Sequence, residues 1–327
     1  MKRSIKKFML TALLLCVTVL LGSCSFLEGE QQPQVQNYSE LTQTEIFPVR
    51  LEIGEQSYLI SSKPHSFAVL SADLAQALED MGVASMITAL CSDAPAGISS
   101  SGTVDCGTVL DPNIEQIIAA RPDWVLVSTQ MRQSSLEQLE QAGLQVIQFE
   151  QPQDIDGIEQ RYRQLYTLCY GSEGTARAQT FWESYQQALD AAISPAAEYV
   201  RVSSKKQVIY LADLPLTMAT GETFEGQMLN QMGFVNLGEL GSRWKYPEVE
   251  LDALQPEIIF YDNTLSPEQI IESETYAQTP AVQSEQLYAV DFAAIRLKGL
   301  PMISALAKMA QAAYPPAYSG SYPELQP

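Results

Sequence analysis

Asp111-Pro112-Asn113-Ile114-Glu115-Gln116-Ile117-Ile118-Ala119-Ala120-Arg121-Pro122-Asp123-Trp124-Val125-Leu126-Val127 holds the reading of the fold in seventeen residues. Ile114, Ile117 and Ile118 recur at helical spacing, so Asn113 to Ala120 is predicted as a helix with those three side chains turned inward. Arg121-Pro122-Asp123 closes it, because proline lacks the amide a helix interior needs. Trp124 to Val127 then runs apolar without a break, the pattern of a strand buried on both faces. Helix, short break and buried strand make one unit of a parallel α/β sheet.

The same grammar extends outward. Ser66 to Leu70 reads as a strand and Ser71 to Met81 as a helix, with Leu74, Leu78 and Met81 on one face and Gly82 as its stop. Ser134-Ser135-Leu136-Glu137 has the form of a capping box opening a helix that ends near Gly143, and Leu144 to Phe149 returns as a strand. In the second half, Gln207 to Leu211 and Ile258 to Tyr261 read as strands. Thr223 to Met232, Glu250 to Gln255 and the segment opened by Ser266-Pro267-Glu268-Gln269 read as helices. Leu78-Glu79-Asp80-Met81-Gly82 corresponds to Leu229-Asn230-Gln231-Met232-Gly233, and Ala120-Arg121-Pro122-Asp123-Trp124 to Leu254-Gln255-Pro256-Glu257-Ile258. Two matches in the same order on the same predicted elements imply two lobes of similar build. Between them Glu173 to Ala192 is the longest helical pattern, with Phe181, Tyr185 and Leu189 on one face and Trp182 beside them. The fold expected is α/β: two Rossmann-like lobes with parallel-sheet cores joined by one long connecting helix. The boundaries are a signal at 1–23, a spacer at 24–45, an N-terminal lobe at 46–172, the connector at 173–193 and a C-terminal lobe at 194–327.

The start of the chain is an address. Lys2, Arg3, Lys6 and Lys7 precede an apolar run from Phe8 to Leu21, too short for a comfortable membrane span. Leu21-Gly22-Ser23-Cys24 resembles the bacterial lipobox, which implies cleavage before Cys24 and a diacylglycerol on its thiol. Gln-rich residues 25 to about 45 read as a flexible tether. Removing the four basic residues of the signal leaves 15 of the 19 Lys and Arg against 39 Asp and Glu, a net charge of −24. Such acidity argues against nucleic acid as a partner, since that needs clustered cations. Of the five cysteines, Cys91, Cys106 and Cys169 remain in the body. Cys91 and Cys106 bracket a Gly/Ser/Asp-rich loop, and an oxidising exterior permits a disulfide between them or two free thiols. Cys169 is expected as a buried free thiol. His65, the only histidine, is expected to be structural.

From about Phe47 to Tyr314 the sequence resembles the helical-backbone class of ABC-transporter substrate-binding lipoproteins, which serves ferric siderophores, haem and vitamin B12. The most specific pieces are the Asp111 to Val127 stretch and the run from Pro280-Ala281-Val282 to Tyr288-Ala289-Val290-Asp291. The resemblance implies a solute held between the lobes by loops at the strand C-termini. Carried over by position, the N-lobe wall is Ser71, Asp93, Cys106, Gly107, Thr129 and Gln130, and the C-lobe wall is Arg243, Trp244, Tyr246 and Arg296. It also implies permease-docking acids: Glu115 in the first lobe, and Asp252, Glu248 or Glu250 in the second. Some relatives carry an arginine close to the last helix, where this chain has Pro301-Met302 and, earlier, Arg296.

The function this implies is an extracytoplasmic, membrane-anchored lipoprotein of a bacterial ABC importer. It captures a metal chelate (ferric siderophore, haem or corrinoid) and hands it to a permease with its ATPase. It is expected to act as a monomer, with no cofactor, no catalytic residue and no resident metal. If haem is the cargo, Tyr246, Tyr261 and Met302 are candidate iron ligands. A bare zinc or manganese binder would normally supply several histidines. An exported enzyme is disfavoured by the lack of Gly-x-Ser-x-Gly, His-Glu-x-x-His or a phosphate-cradling loop. A lipid-tethered sensor without a permease is the alternative.

Overall fold

The computed structural model describes residues 46–98 and 102–319; the expected signal, the expected lipidation at Cys24 and the expected tether to residue 45 lie outside them. An antiparallel hairpin of β1 (Val49–Ile53) and β2 (Gln56–Ile60) opens the body. The first lobe then runs β3 (Phe67–Val69), α1 (Ala72–Asp80), β4 (Ile87–Leu90), β5 (Val104–Asp105), α2 (Ile114–Ala120), β6 (Trp124–Val127), α3 (Gln133–Gln141), β7 (Val146–Gln148) and α4 (Ile155–Tyr170). Its five strands are parallel in the order β5-β4-β3-β6-β7. The chain therefore starts in the middle, winds outward one way, then returns to wind the other way. The reversal between β3 and β6 is the point where open α/β sheets leave a crevice at their C-terminal edge.

Helix α5 (Gly174–Tyr199) leads to the second lobe: β8 (Gln207–Asp213), β9 (Thr217–Met218), α6 (Phe224–Gln231), β10 (Val235–Asn236), β11 (Ile258–Asp262), α7 (Pro267–Ile271), α8 (Pro280–Gln283), β12 (Leu287–Val290), α9 (Phe292–Leu297) and α10 (Leu300–Ala313). Here the order is β10-β8-β11-β12, parallel, with β9 antiparallel on β8. The reversal falls between β8 and β11. The internal correspondence read from sequence has a structural basis. Helix α1 ends with Gly82 N–H on the Glu79 carbonyl and Val83 N–H on that of Leu78; α6 ends with Gly233 on Asn230 and Phe234 on Leu229. Both are Schellman stops, and both need the left-handed backbone of their glycines, φ 71° and 84°.

The connector is longer than its sequence pattern, 26 residues and roughly 39 Å at 1.5 Å per residue. Trp182, Tyr185 and Leu189 are buried on it and Phe181 is half-buried. The Trp182 and Tyr185 rings stack at 4.9 Å, and Phe181 meets Tyr162 of α4 at 4.5 Å. These rings belong to one apolar cluster that runs from Phe67 and Val69 of the first sheet to Tyr210 and Phe260 of the second and Met302 and Leu306 of α10. The opposite face of each sheet has its own smaller cluster, around Ala68, Val125 and Val127 in one lobe and around Ile209, Leu211 and Tyr261 in the other. The alternation along β3 and β8 follows from the two-residue period of a strand.

Two local expectations are corrected and one open alternative is decided. In α2 only Ile117 is buried; Ile118 is 38% exposed and Ile114 half-buried, so this short helix rests on the sheet by a narrow stripe. Ser134 caps nothing: α3 opens one residue ahead of it, with the Ser135 and Leu136 amides on the Arg132 carbonyl. The capping box occurs instead at Ser266, with Gln269 reciprocating. Cys91 and Cys106 are free thiols, both buried, as is Cys169. Cys91 packs into the large shared cluster and Cys106 into the opposite N-lobe one, and the Cys106 thiol donates to the Val69 carbonyl at 3.6 Å. Burial pushes the Cys106 and Cys169 thiols up to about 12.

Candidate functional site

Every N-lobe position expected to face the solute lies at a strand C-terminus. Ser71 follows β3, Asp93 follows β4, Cys106 and Gly107 follow β5, and Thr129 and Gln130 follow β6. Asp93, Thr129 and Gln130 are exposed there. Cys106 is not available: it is fully buried, its amide donates to the Leu90 carbonyl, and its carbonyl accepts from the Asn113 amide. Gly107 shapes the turn instead. Its φ is 74°, and a Cβ there would lie 2.3 Å from the Asp111 carbonyl oxygen. Ser71 is buried and its hydroxyl accepts the Ser128 amide at 2.9 Å, closing the crevice between β3 and β6.

That closure is the edge of a network with no sequence forecast. Ser128 Oγ donates to Asp73 Oδ1 at 2.7 Å, and Arg161 of α4 pairs with Asp73 Oδ2 at 2.5 Å and donates to the Glu150 carbonyl at 3.2 Å. Arg161 is 3% exposed and its Nε has no partner. A buried guanidinium leaving a donor unpaired is costly, and it stands where the sheet reverses. The signal was present in sequence: Ile158, Arg161, Tyr162 and Leu165 share one face, which puts a cation on an apolar stripe.

An open hollow of about 650 Å³ indents the rim of this lobe, lined by Ser92, Asp105, Gly107, Asp111, Asn113 and Gln116 among others. No C-lobe residue lines it. Hydrogen bonds from the Gly107 amide and the Ser92 hydroxyl hold the Asp105 carboxyl below the ordinary carboxylate range. Glu115 is exposed in the first turn of α2 next to it in sequence, while Asp252 sits on the 3₁₀ turn Glu248–Ala253.

In the second lobe, Arg243 and Trp244 occupy the two central positions of a tight turn. Ser242 and Lys245 exchange both backbone hydrogen bonds, each at 3.0 Å, and φ is 50° at Arg243 and 65° at Trp244. Two consecutive left-handed residues define a type I′ turn, which normally selects Asn-Gly. A bulky residue there is strained, and such strain concentrates at functional positions. The turn is fastened by the Arg243 amide on Glu222, by the Trp244 carbonyl accepting from the Met218 amide, and by an isolated bridge between Thr217 and Lys245. Arg243 is exposed; Trp244 is half-buried, its ring 6.3 Å from that of Tyr210. Tyr210 in turn stacks on Phe292 at 3.5 Å, and its buried hydroxyl has no partner. Arg296 is exposed on α9.

Tyr246 does not belong to this wall. It is 4% exposed and its hydroxyl donates to the Glu250 carbonyl at 3.1 Å, so it fills the C-lobe core. The haem-ligand candidates fall with it: Tyr261 and Met302 are also buried, in apolar clusters. Trp124 and Trp182 are core, as expected. His65 is exposed, and its amide donates to Asp123 Oδ2 at 2.6 Å. Among the described residues no three His, Cys, Asp or Glu side chains are grouped to hold a metal ion, and no helix is long and apolar enough to cross a membrane.

Two doubly wound lobes bridged by one long helix, with both sheet reversals at the same kind of edge, define a solute-binding class of fold. Residues 69–294 match the periplasmic binding protein family, and the chain belongs to that family. It is 21% identical over 318 residues to YvrC, an ABC transporter substrate-binding lipoprotein of Bacillus subtilis, covering 93% of this chain and 96% of that one. The haem-binding protein HutB of Vibrio cholerae superposes with a TM-score of 0.65 at 19% identity, over 77% of this chain and all of its own. The siderophore-binding protein BauB, bound to ferric iron and two acinetobactin molecules, gives 0.65 at 15%, over 81% and 99%. The family is one of substrate-binding transport proteins rather than enzymes.

Proposed function

We propose that this chain is the solute receptor of an ABC importer, tethered outside the cytoplasm through Cys24, and that it captures a metal chelate between its lobes. The chelate is a ferric siderophore, haem or a corrinoid. The observation that carries the reading is the strained turn that presents Arg243 and Trp244 from the C-lobe. An aromatic face beside a guanidinium suits a flat or macrocyclic guest with anionic oxygens. Asp93, Thr129 and Gln130 form the opposite wall, backed by the Ser71 hydroxyl and the Gly107 turn, and Arg296 adds a second cation. Relatives of the same fold bind haem and a ferric siderophore. Glu115 and an acid of the second lobe, Asp252 or a neighbour, dock the permease.

The test is thermal unfolding of the full-length protein with a ferric catecholate, a ferric hydroxamate, haemin and cyanocobalamin in turn. A ligand at about 100 times its Kd stabilises by about 2.7 kcal/mol, a rise of several degrees in Tm. One probe should give that rise and lose it in Trp244→Ala; no rise with any of the four sinks the ligand class. In cells, Glu115→Arg should stop uptake of the same probe without changing the thermal shift.

A further inference from the structure

The lobes also meet around Asp80, beside Tyr185 of the connector. Lys298-Gly299-Leu300, between α9 and α10, lies against α1 and α5. The Leu300 amide donates to Asp80 Oδ2 at 3.0 Å, the oxygen that also accepts the Tyr162 hydroxyl at 2.6 Å, and Gln76 donates to Oδ1 at 2.7 Å. The Tyr185 hydroxyl donates to the Lys298 carbonyl at 3.2 Å. Approach is so close that a Cβ on Gly299 would lie 2.4 Å from Asp80 Oδ2. An N-lobe carboxylate thus grips C-lobe main chain, a contact with little freedom.

One residue before this grip, the Lys298 side chain takes a different course. It passes over the Phe224 ring at 4.9 Å and its ammonium donates to the Pro152 carbonyl at 2.5 Å, in the loop between β7 and α4 of the other lobe. The charged groups around it are Glu225 and Asp73, which attract it, and Arg161 and Arg296, which repel it. Its main chain is held by Tyr185 and by the neighbouring grip, while its ammonium reaches across to the other lobe with one direct hydrogen bond, to Pro152, over the Phe224 ring.

We infer that Lys298 is a latch between the lobes, pivoting on the Asp80–Leu300 grip and holding the lobes at one separation through Pro152. This rests on the two-lobed receptor reading. Spectroscopic labels on encoded azides at the exposed Gln141 of α3 and Glu272 beyond α7 report the lobe separation in the full-length protein. Pulsed dipolar spectroscopy should give one narrow distance for the wild type and for Lys298→Arg, which keeps a donor of similar reach. Lys298→Met, which keeps the length but not the donor, should give a distribution at least twice as wide, while hydrogen exchange at the Leu300 amide stays as slow as in the wild type. A Lys298→Met distribution as narrow as the wild type overturns the latch, and a Leu300 amide that exchanges as freely as the open loops overturns the pivot. If Lys298→Met does not unfold cooperatively, Lys298→Gln, whose amide stops short of Pro152, takes its place under the same criteria. A solute screen that fails leaves these outcomes unaffected.

Discussion

Asp80 accepts three hydrogen bonds and is nevertheless held above the ordinary aspartate value of 3.8, because the cost of burying its charge outweighs the donors from Tyr162, Leu300 and Gln76. A carboxyl whose pKa is raised on folding stabilises the fold below the unfolded pKa and loses that contribution as pH rises through the folded one. Asp80→Asn removes the slope while keeping an oxygen for Leu300. The Tm of the variant minus that of the wild type should therefore climb as pH rises above the ordinary aspartate value of 3.8 and level once Asp80 is ionised; a flat difference would show that Asp80 titrates normally. Single residues were unevenly legible in the sequence. Trp244 was placed as a candidate by position, through the family resemblance, whereas Tyr246, two positions on, was misplaced because its partner, the Glu250 carbonyl, is a main-chain group without a sequence signature. Lys298 gave no signal at all, since its role depends on a carbonyl 146 residues away.

At the scale of elements, the turn 242–245 sets stability against function. A left-handed residue other than glycine costs roughly 1–2 kcal/mol, and asparagine tolerates that conformation better than arginine. Arg243→Asn, at an exposed position, should raise the urea midpoint by an amount worth about 1 kcal/mol and reduce the thermal shift given by the productive chelate. A variant that gains stability and binds as well as the wild type would remove Arg243 from the wall. Helices and strands with strong apolar periods were legible, because burial fixes both pattern and register. Short elements were not. The second helix has seven residues and keeps one fully buried position, so the competition between the half-buried Ile114 and the exposed Ile118 was decided by the sheet below it. The box at Ser134 lost to a helix start chosen by the Arg132 carbonyl.

For the molecule as a whole, the continuous cluster through α5 ties the two sheets into one folding unit. Tyr185 is 1% exposed and lies at its middle, stacked on Trp182. Tyr185→Ala should cost about 3–5 kcal/mol, the usual range for emptying a large aromatic site. Calorimetry should still show one transition, shifted down; two resolved transitions would mean that each lobe melts alone. The duplicated plan was legible because two glycine stops and two proline breaks recur in order. What duplication hides is that the two walls have diverged in chemistry. Small hydroxyl, amide and carboxylate groups border the first sheet, and two guanidinium groups with an indole border the second. If the proposed walls hold a guest between them, surfaces so unlike would give it a head and a tail, and an ABC permease would always receive the same end first.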